Sequence, residues 1–168
     1  MKPGSRYYQP DTPSGCVPPA DMRNRAAADI FADMIAGKYP TAPIAKTLNF
    51  KLTEVSDGFA EFRGVPLVEH YNPAGSVHGG WTATLLDSAL GCCVHTKIQA
   101  GTGYTTIEFK INLLRPMFEN TGEVICQGRV LHFGRTTAVS EATLKTADGK
   151  LIAIGTETCA IFPLPPKS

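Results

Sequence analysis

The sequence predicts an α+β fold, in which one antiparallel sheet wraps around a single long central helix and a helical extension stands at the N-terminus. Three observations carry that expectation. The run from Trp81 to Val94 is apolar on nearly every side of a helix, and such a helix is buried. Two strand-like segments precede it and four follow, and strands joined by tight turns pair antiparallel. At 168 residues and 18.0 kDa, the chain has the length of one domain with one core.

Each element follows from local chemistry. Residues 1–20 hold five of the thirteen prolines among Gly, Ser, Tyr and Asp, a composition that sustains neither a helix nor a central strand, so an extended Pro-rich arm is expected there. Residues 21–45 form an N-terminal helix and linker: Asp21 opens Met22 to Lys38, Ala26, Ile30, Met34 and Ile35 recur near helical spacing, and Tyr39-Pro40 with Pro43 ends the pattern. The main domain spans 46–163. Leu48–Val55 and Phe59–Pro66 alternate partly around Ser56-Asp57-Gly58, which reads as two strands and a tight turn. The central helix follows, and Gly101-Thr102-Gly103 ends it. Tyr104–Leu114 places Ile107, Phe109, Ile111 and Leu113 on one face of a strand that Arg115-Pro116 closes. Glu123–Phe133, Thr136–Thr146 and Leu151–Phe162 are three more strands, with turns at 132–135 and 147–150.

Composition narrows the function. With 16 basic and 15 acidic residues the formal charge is +1, and no run of Lys or Arg exceeds a pair, which argues against nucleic acid as a partner. Cys16, Cys92, Cys93, Cys126 and Cys159 are an odd set without CxxC spacing, so reduced thiols and a cytoplasmic location are expected. No stretch approaches the roughly 18 apolar residues of a membrane span, and no secretory leader pattern is seen. His70, His95 and His132 lack ligand spacing, so no metal is expected, and neither HExxH nor G-x-S-x-G occurs.

The chemistry concentrates in Asn72-Pro73-Ala74-Gly75-Ser76-Val77-His78-Gly79-Gly80 and the helix it opens. Backbone N–H groups of Gly79 and Gly80 at a helix start can hold an oxyanion, although glycines there also serve tight turns or close packing. Thr84, Asp87, Ser88, Gly91 and His95 form the helix's polar stripe, and Asp87 is its one carboxylate. The stripe lacks the Lys and Glu of a wetted face, so Asp87 is the candidate general base or nucleophile, its basicity raised by desolvation. His78 suits a cap or a substrate contact, and Asn72 a turn or an amide donor to a carbonyl. One acid with an oxyanion site and no triad fits a leaving group that departs unprotonated, as a thiolate of pKa near ~8.5 does. Thioester hydrolysis is the expected reaction.

These residues resemble the hot-dog fold acyl-CoA thioesterases, in particular the PaaI-like branch of phenylacetate metabolism. The resemblance spans about residues 45–162 and rests on Asn72-Pro73-x-Gly75-x-Val77-His78-Gly79-Gly80 followed by Asp87, with Tyr104–Pro116, Gly134-Arg135-Thr136 and Gly149–Ala153 in support. It implies that the Gly79 N–H polarises the thioester carbonyl beside Asn72, while Asp87 of a second subunit attacks or activates water. It places a water-holding hydroxyl at Thr106, or at Thr105 under a one-residue shift, since Gly91 occupies the position where another branch has Thr. It implies a homodimer, or a dimer of dimers, with sites at the interface. No cofactor is implied, because coenzyme A is part of the substrate, and Arg115 and Arg135 are the candidates for its phosphates. Trp81, with Leu85 and Leu90, shapes an acyl or aryl pocket or simply fills the core. A non-catalytic acyl-CoA binding module and a hot-dog dehydratase or hydratase are the alternative readings.

Overall fold

The computed structural model describes residues 1–165. Three short helices come first, α1 (Pro19–Asn24), α2 (Ala27–Ile35) and α3 (Pro43–Thr47), then strands β1 (Phe50–Ser56) and β2 (Phe59–Gly64), the long helix α4 (Gly79–His95), and strands β3 (Thr102–Leu113), β4 (Val124–Phe133), β5 (Thr137–Thr146) and β6 (Leu151–Pro163). The six strands make one antiparallel sheet in the order β1-β2-β4-β5-β6-β3. Helix α4 lies in the concave face and touches all six strands, as its all-round apolar surface requires.

Small residues let the sheet close on that helix. A Cβ added to Gly128 of β4 would sit 2.2 Å from the Ala89 carbonyl oxygen, so only glycine admits the helix backbone here. Leu85, Leu86, Ala89, Leu90, Cys93 and Val94 are consequently sealed from solvent against Val124, Cys126, Ala142, Leu144 and Ala153. The β1–β2 turn needs a left-handed residue, which Gly58 supplies at φ 71°, and the Gly58 N–H donates to Thr96 Oγ1 at 2.9 Å, fastening the hairpin to the end of α4.

The N-terminal segment differs from a single helix over 22–38. Arg25 is extended (φ −117°, ψ 152°) and separates α1 from α2. The break docks on the α4–β3 connection: Gly101 N–H donates to the Arg23 carbonyl and Ala27 N–H to that of Ile98, while the Arg25 guanidinium bonds Asp33 and the Tyr39 hydroxyl. Pro43 at the first helical position starts the additional turn α3. Residues before α1 run over the β1 side, where Tyr7 N–H bonds Asn49 Oδ1 at 2.9 Å, Tyr7 hydroxyl bonds Glu123 at 2.6 Å, and Tyr8 hydroxyl bonds the Phe50 carbonyl at 3.1 Å.

In β3 the register shifts between Thr106 and Glu108. Thr106 stands opposite Cys159 and Phe109 opposite Glu157, so Ile107 is the extra residue of a bulge and does not share the face of Phe109, Ile111 and Leu113 as plain alternation predicts. Strand β3 is an edge of the sheet, with Ile107 62%, Phe109 41% and Leu113 53% exposed, and Leu114 just beyond its end 51% exposed.

Candidate active site

Two candidate half-sites lie along α4. At its start, the loop carrying the glycines is fixed by backbone bonds from Val77 N–H to the Met117 carbonyl (2.9 Å) and from His78 N–H to the His70 carbonyl (2.8 Å). His78 is the N-cap, and its Nδ1 accepts the Gly80 N–H at 2.8 Å. That bond consumes the Gly80 donor and makes His78 a capping residue. The Gly79 N–H, by contrast, meets no acceptor among the described residues and sits at the positive end of a 17-residue helix. It opens into a cleft of about 270 Å³ that Asn72, Thr82, Leu113 and Arg115 also line. Asn72 is first a turn former, its Oδ1 accepting the Ala74 N–H at 2.9 Å and its Nδ2 donating to Ser76 Oγ at 3.0 Å, yet the same side chain reaches the cleft wall. Arg115 is exposed at the rim, with Nε on the Leu151 carbonyl at 3.1 Å.

The second half-site is about 12 Å further along the helix axis, eight residues at ~1.5 Å each. Asp87 is half-buried there, and desolvation alone holds its carboxyl above the usual carboxylate range. The hydroxyls beside it are occupied with their own helix: Thr84 Oγ1 donates to the Gly80 carbonyl and Ser88 Oγ to that of Thr84. His95 packs on Phe31 and Tyr104, and burial lowers its pKa to about 4, so it is neutral at pH 7. Thr106 faces inward and half-buried whereas Thr105 is exposed, and Thr106 Oγ1 donates to Glu157 Oε1 at 2.8 Å.

Glu157 is a residue that the sequence pattern hid. It is fully buried on β6, accepts the Cys159 thiol at 3.0 Å, and has no partner for Oε2. Burial first, then the nearby Asp87 charge, push its carboxyl up. Its signal was the alternation Gly155, Glu157, Cys159 on the inward phase of β6, masked by the flanking Thr156 and Thr158.

Trp81 takes the second of its two expected places, and Arg135 lies away from the cleft. Trp81 is 3% exposed, donates Nε1 to the Leu48 carbonyl at 2.8 Å and stacks on His70, so it belongs to the core. Arg135 sits in the β4–β5 turn, at the same end of the sheet as the start of β3 and opposite to Leu113 and the Gly79 cleft. Among the described residues no three His, Cys, Asp or Glu side chains converge as metal ligands, and no helix is long and apolar enough to cross a membrane.

The profile of the Thioesterase superfamily matches residues 74–153, a span that includes Gly79, Asp87 and Thr106. A Saccharolobus solfataricus protein provisionally named an esterase is 35% identical over 109 residues, which is 64% of this chain and 75% of that one. The chain belongs to the thioesterase superfamily. Its sheet-wrapped helix is the superfamily's hot-dog fold, and its enzymatic class is thioester hydrolase. Human acyl-coenzyme A thioesterase 13 is 35% identical to this thioesterase over 96 residues, 54% of this chain and 64% of the human one. The structure of a Ralstonia eutropha phenylacetic acid degradation-related protein superposes with a TM-score of 0.69 at 29% identity, over 77% of this chain and 98% of that one. Residues 1–73, with the arm and the three short helices, precede the profile match.

Proposed function

We propose that this thioesterase hydrolyses acyl-CoA thioesters as a homodimer in which each site joins the Gly79 end of one subunit's α4 to Asp87 of the other. The observation that carries the reading is the Gly79 N–H, unpartnered at a helix start yet about 12 Å along the same helix from the acid. One carbonyl cannot contact both from a single chain. A second copy pairing antiparallel along the open edge of β3 sets the two helices side by side in opposite directions, and it covers the apolar residues exposed on that strand.

In such a site the thioester carbonyl oxygen accepts the Gly79 N–H beside Asn72. The partner's Asp87 takes a proton from a water held at Thr106 of that same partner chain. That water attacks the carbonyl carbon, and the oxyanion charge develops against the donor at the helix start. The tetrahedral intermediate then expels a thiolate, which leaves without a proton because its conjugate acid has a pKa near ~8.5. Arg115 at the cleft rim suits a CoA phosphate, and the opposed packing of two subunits would bring the partner's Arg135 to the same end. The name of the human relative supports coenzyme A as the thiol portion.

The acyl portion fits a second, larger cavity of about 490 Å³ between the N-terminal helices and α4. Phe31, Met34 and Ile44 form one wall, and Ser88 and Cys92 the other, one and five residues beyond the acid. A chamber this large and apolar suits a medium-chain or aryl group. The test is CoA release from acetyl, octanoyl, palmitoyl and phenylacetyl thioesters by the native protein, Asp87→Ala and Asp87→Asn, with folding checked by circular dichroism. Loss of turnover in both variants, and preference for octanoyl or phenylacetyl esters, is the expected result. Tight binding without cleavage by the native protein would instead make it a binding module.

A further inference from the structure

The buried acid of β6 has no part in the reaction above, and its surroundings suit neither stability nor solvation. Glu157 is 0% exposed, with one oxygen fully engaged and the other without a partner. A half-satisfied carboxyl in a core costs stability, and an apolar side chain of the same size would fill the space at lower free energy. The fold nevertheless makes room for it. Gly91 of α4 faces it, where a Cβ would lie 3.5 Å from Oε1, and the β3 bulge brings Thr106 and Phe109 both to its side of the strand.

The one bond that links this acid to the proposed chemistry is the Thr106 hydroxyl, which donates to Oε1 at 2.8 Å. A hydroxyl has one proton and two lone pairs. With its proton held by Glu157, Thr106 Oγ1 can only accept from a water. A water between Asp87 and Thr106 then donates both hydrogens, one to each, and turns its own lone pair toward the carbonyl carbon. Without the buried acceptor, the Thr106 hydroxyl is free to donate to the water, which would occupy the lone pair needed for attack.

We propose that Glu157 is a positioning residue that fixes the polarity of the Thr106 hydroxyl and thereby the orientation of the attacking water. This rests on the reading of Asp87 as the base, and the experiment separates the two. In the full chain, Glu157→Leu, Glu157→Gln, Thr106→Val, the Glu157→Leu/Thr106→Val double variant and Asp87→Asn are compared for kcat, KM and melting temperature on the best-cleaved thioester. Glu157→Leu is expected to melt above the native protein while its kcat falls roughly ten- to hundred-fold at unchanged KM, the scale of a misplaced reacting group. Glu157→Gln, which keeps an oxygen acceptor at the same place, should retain kcat within about three-fold, because the hydroxyl still has an acceptor. The double variant should be no slower than Thr106→Val alone, since both act through one hydroxyl. Native kcat in Glu157→Leu, multiplicative losses in the double variant, or a Glu157→Gln enzyme slowed as much as Glu157→Leu would each overturn the proposal. If Glu157→Leu does not fold, the Glu157→Gln and Thr106→Val pair decides: loss of kcat in the first with none in the second excludes a role through the hydroxyl. Full activity in Asp87→Asn would remove the underlying site assignment instead.

Discussion

Replacing Gly79 by proline removes one backbone donor and sets the ring's Cδ in its place. Gly79 is the first residue of α4, where a helix has no use for the N–H and proline's fixed φ is already suited. The preceding residue, His78, has φ −62° and ψ 137°, the extended region that a residue before proline adopts. The added Cβ meets only Leu113 Cδ1, at 2.9 Å, the tip of a half-exposed side chain that can turn aside. Gly79→Ala introduces the same Cβ and keeps the N–H, so it controls for that contact. Loss of one oxyanion donor costs about 3 kcal/mol in the barrier, roughly a hundred- to thousand-fold in kcat. The assay is initial-rate thiol release over a range of thioester concentrations, with melting curves for both variants. Gly79→Pro should keep its melting temperature while kcat collapses, with some rise in KM because Cδ stands where the N–H stood, and Gly79→Ala should stay within about ten-fold of the native rate. Full kcat in Gly79→Pro, or equal losses in both variants, would show that the helix-start amide does not hold the oxyanion.

Further outcomes follow from other parts of the structure. Mixing equal amounts of Gly79→Pro and Asp87→Asn subunits, unfolding and refolding them together, should restore about a quarter of native activity, because half of the dimers are then mixed and one of their two shared sites is intact; no recovery would place both groups in one chain. Gly128→Ala should lower stability by about 3 kcal/mol or prevent folding, read by urea denaturation, because its Cβ would meet the Ala89 carbonyl at 2.2 Å. The kcat/KM profile should fall on the acid side as Asp87 is protonated, at a pH above the usual carboxylate range, since desolvation raises that pKa. Glu157 titrates among Asp87, Cys92, Cys93, Tyr104, Glu108 and Cys159, and its folded pKa is raised. The folded state therefore holds that proton more tightly than the unfolded chain, and stability is lost as pH rises from the unfolded toward the folded value. Glu157→Gln should abolish that part of the slope in melting temperature measured from pH 4 to pH 8.

The elements that were legible in the sequence are those whose pattern depends on one neighbour. Helix α4 announced itself because a helix enclosed over most of its surface must be apolar on most sides, and the hairpins because Asp57-Gly58 and Asp148-Gly149 mark turns. Gly79 and Asp87 could be singled out as candidates because a helix start and a lone carboxylate are local features. What escaped depends on contacts between distant segments. The break at Arg25 exists because residues 97–101 pass beside it. The choice between Thr105 and Thr106, and the face of Ile107, turn on a bulge that only the pairing of β3 with β6 defines. Glu157 stands between two threonines, and the inward phase of its strand becomes visible once Gly155 and Cys159 are seen against α4. Trp81 was ambiguous because an indole serves a pocket or a core equally well until its Nε1 is seen bonded to Leu48.

Helix α4 thus acts as a ruler. The eight-residue interval from Gly79 to Asp87 sets both the spacing and the angular offset of the two groups, and the close seating at Gly128 prevents the helix from sliding or rolling to compensate. Substitutions within that interval change one side chain each. A single inserted or deleted residue would swing the carboxylate about 100° around the axis and shift it ~1.5 Å along it. In a symmetric pair with crossed sites, that one lesion would disable both centres at once. The interval should therefore accept changes of residue type far more readily than changes of length.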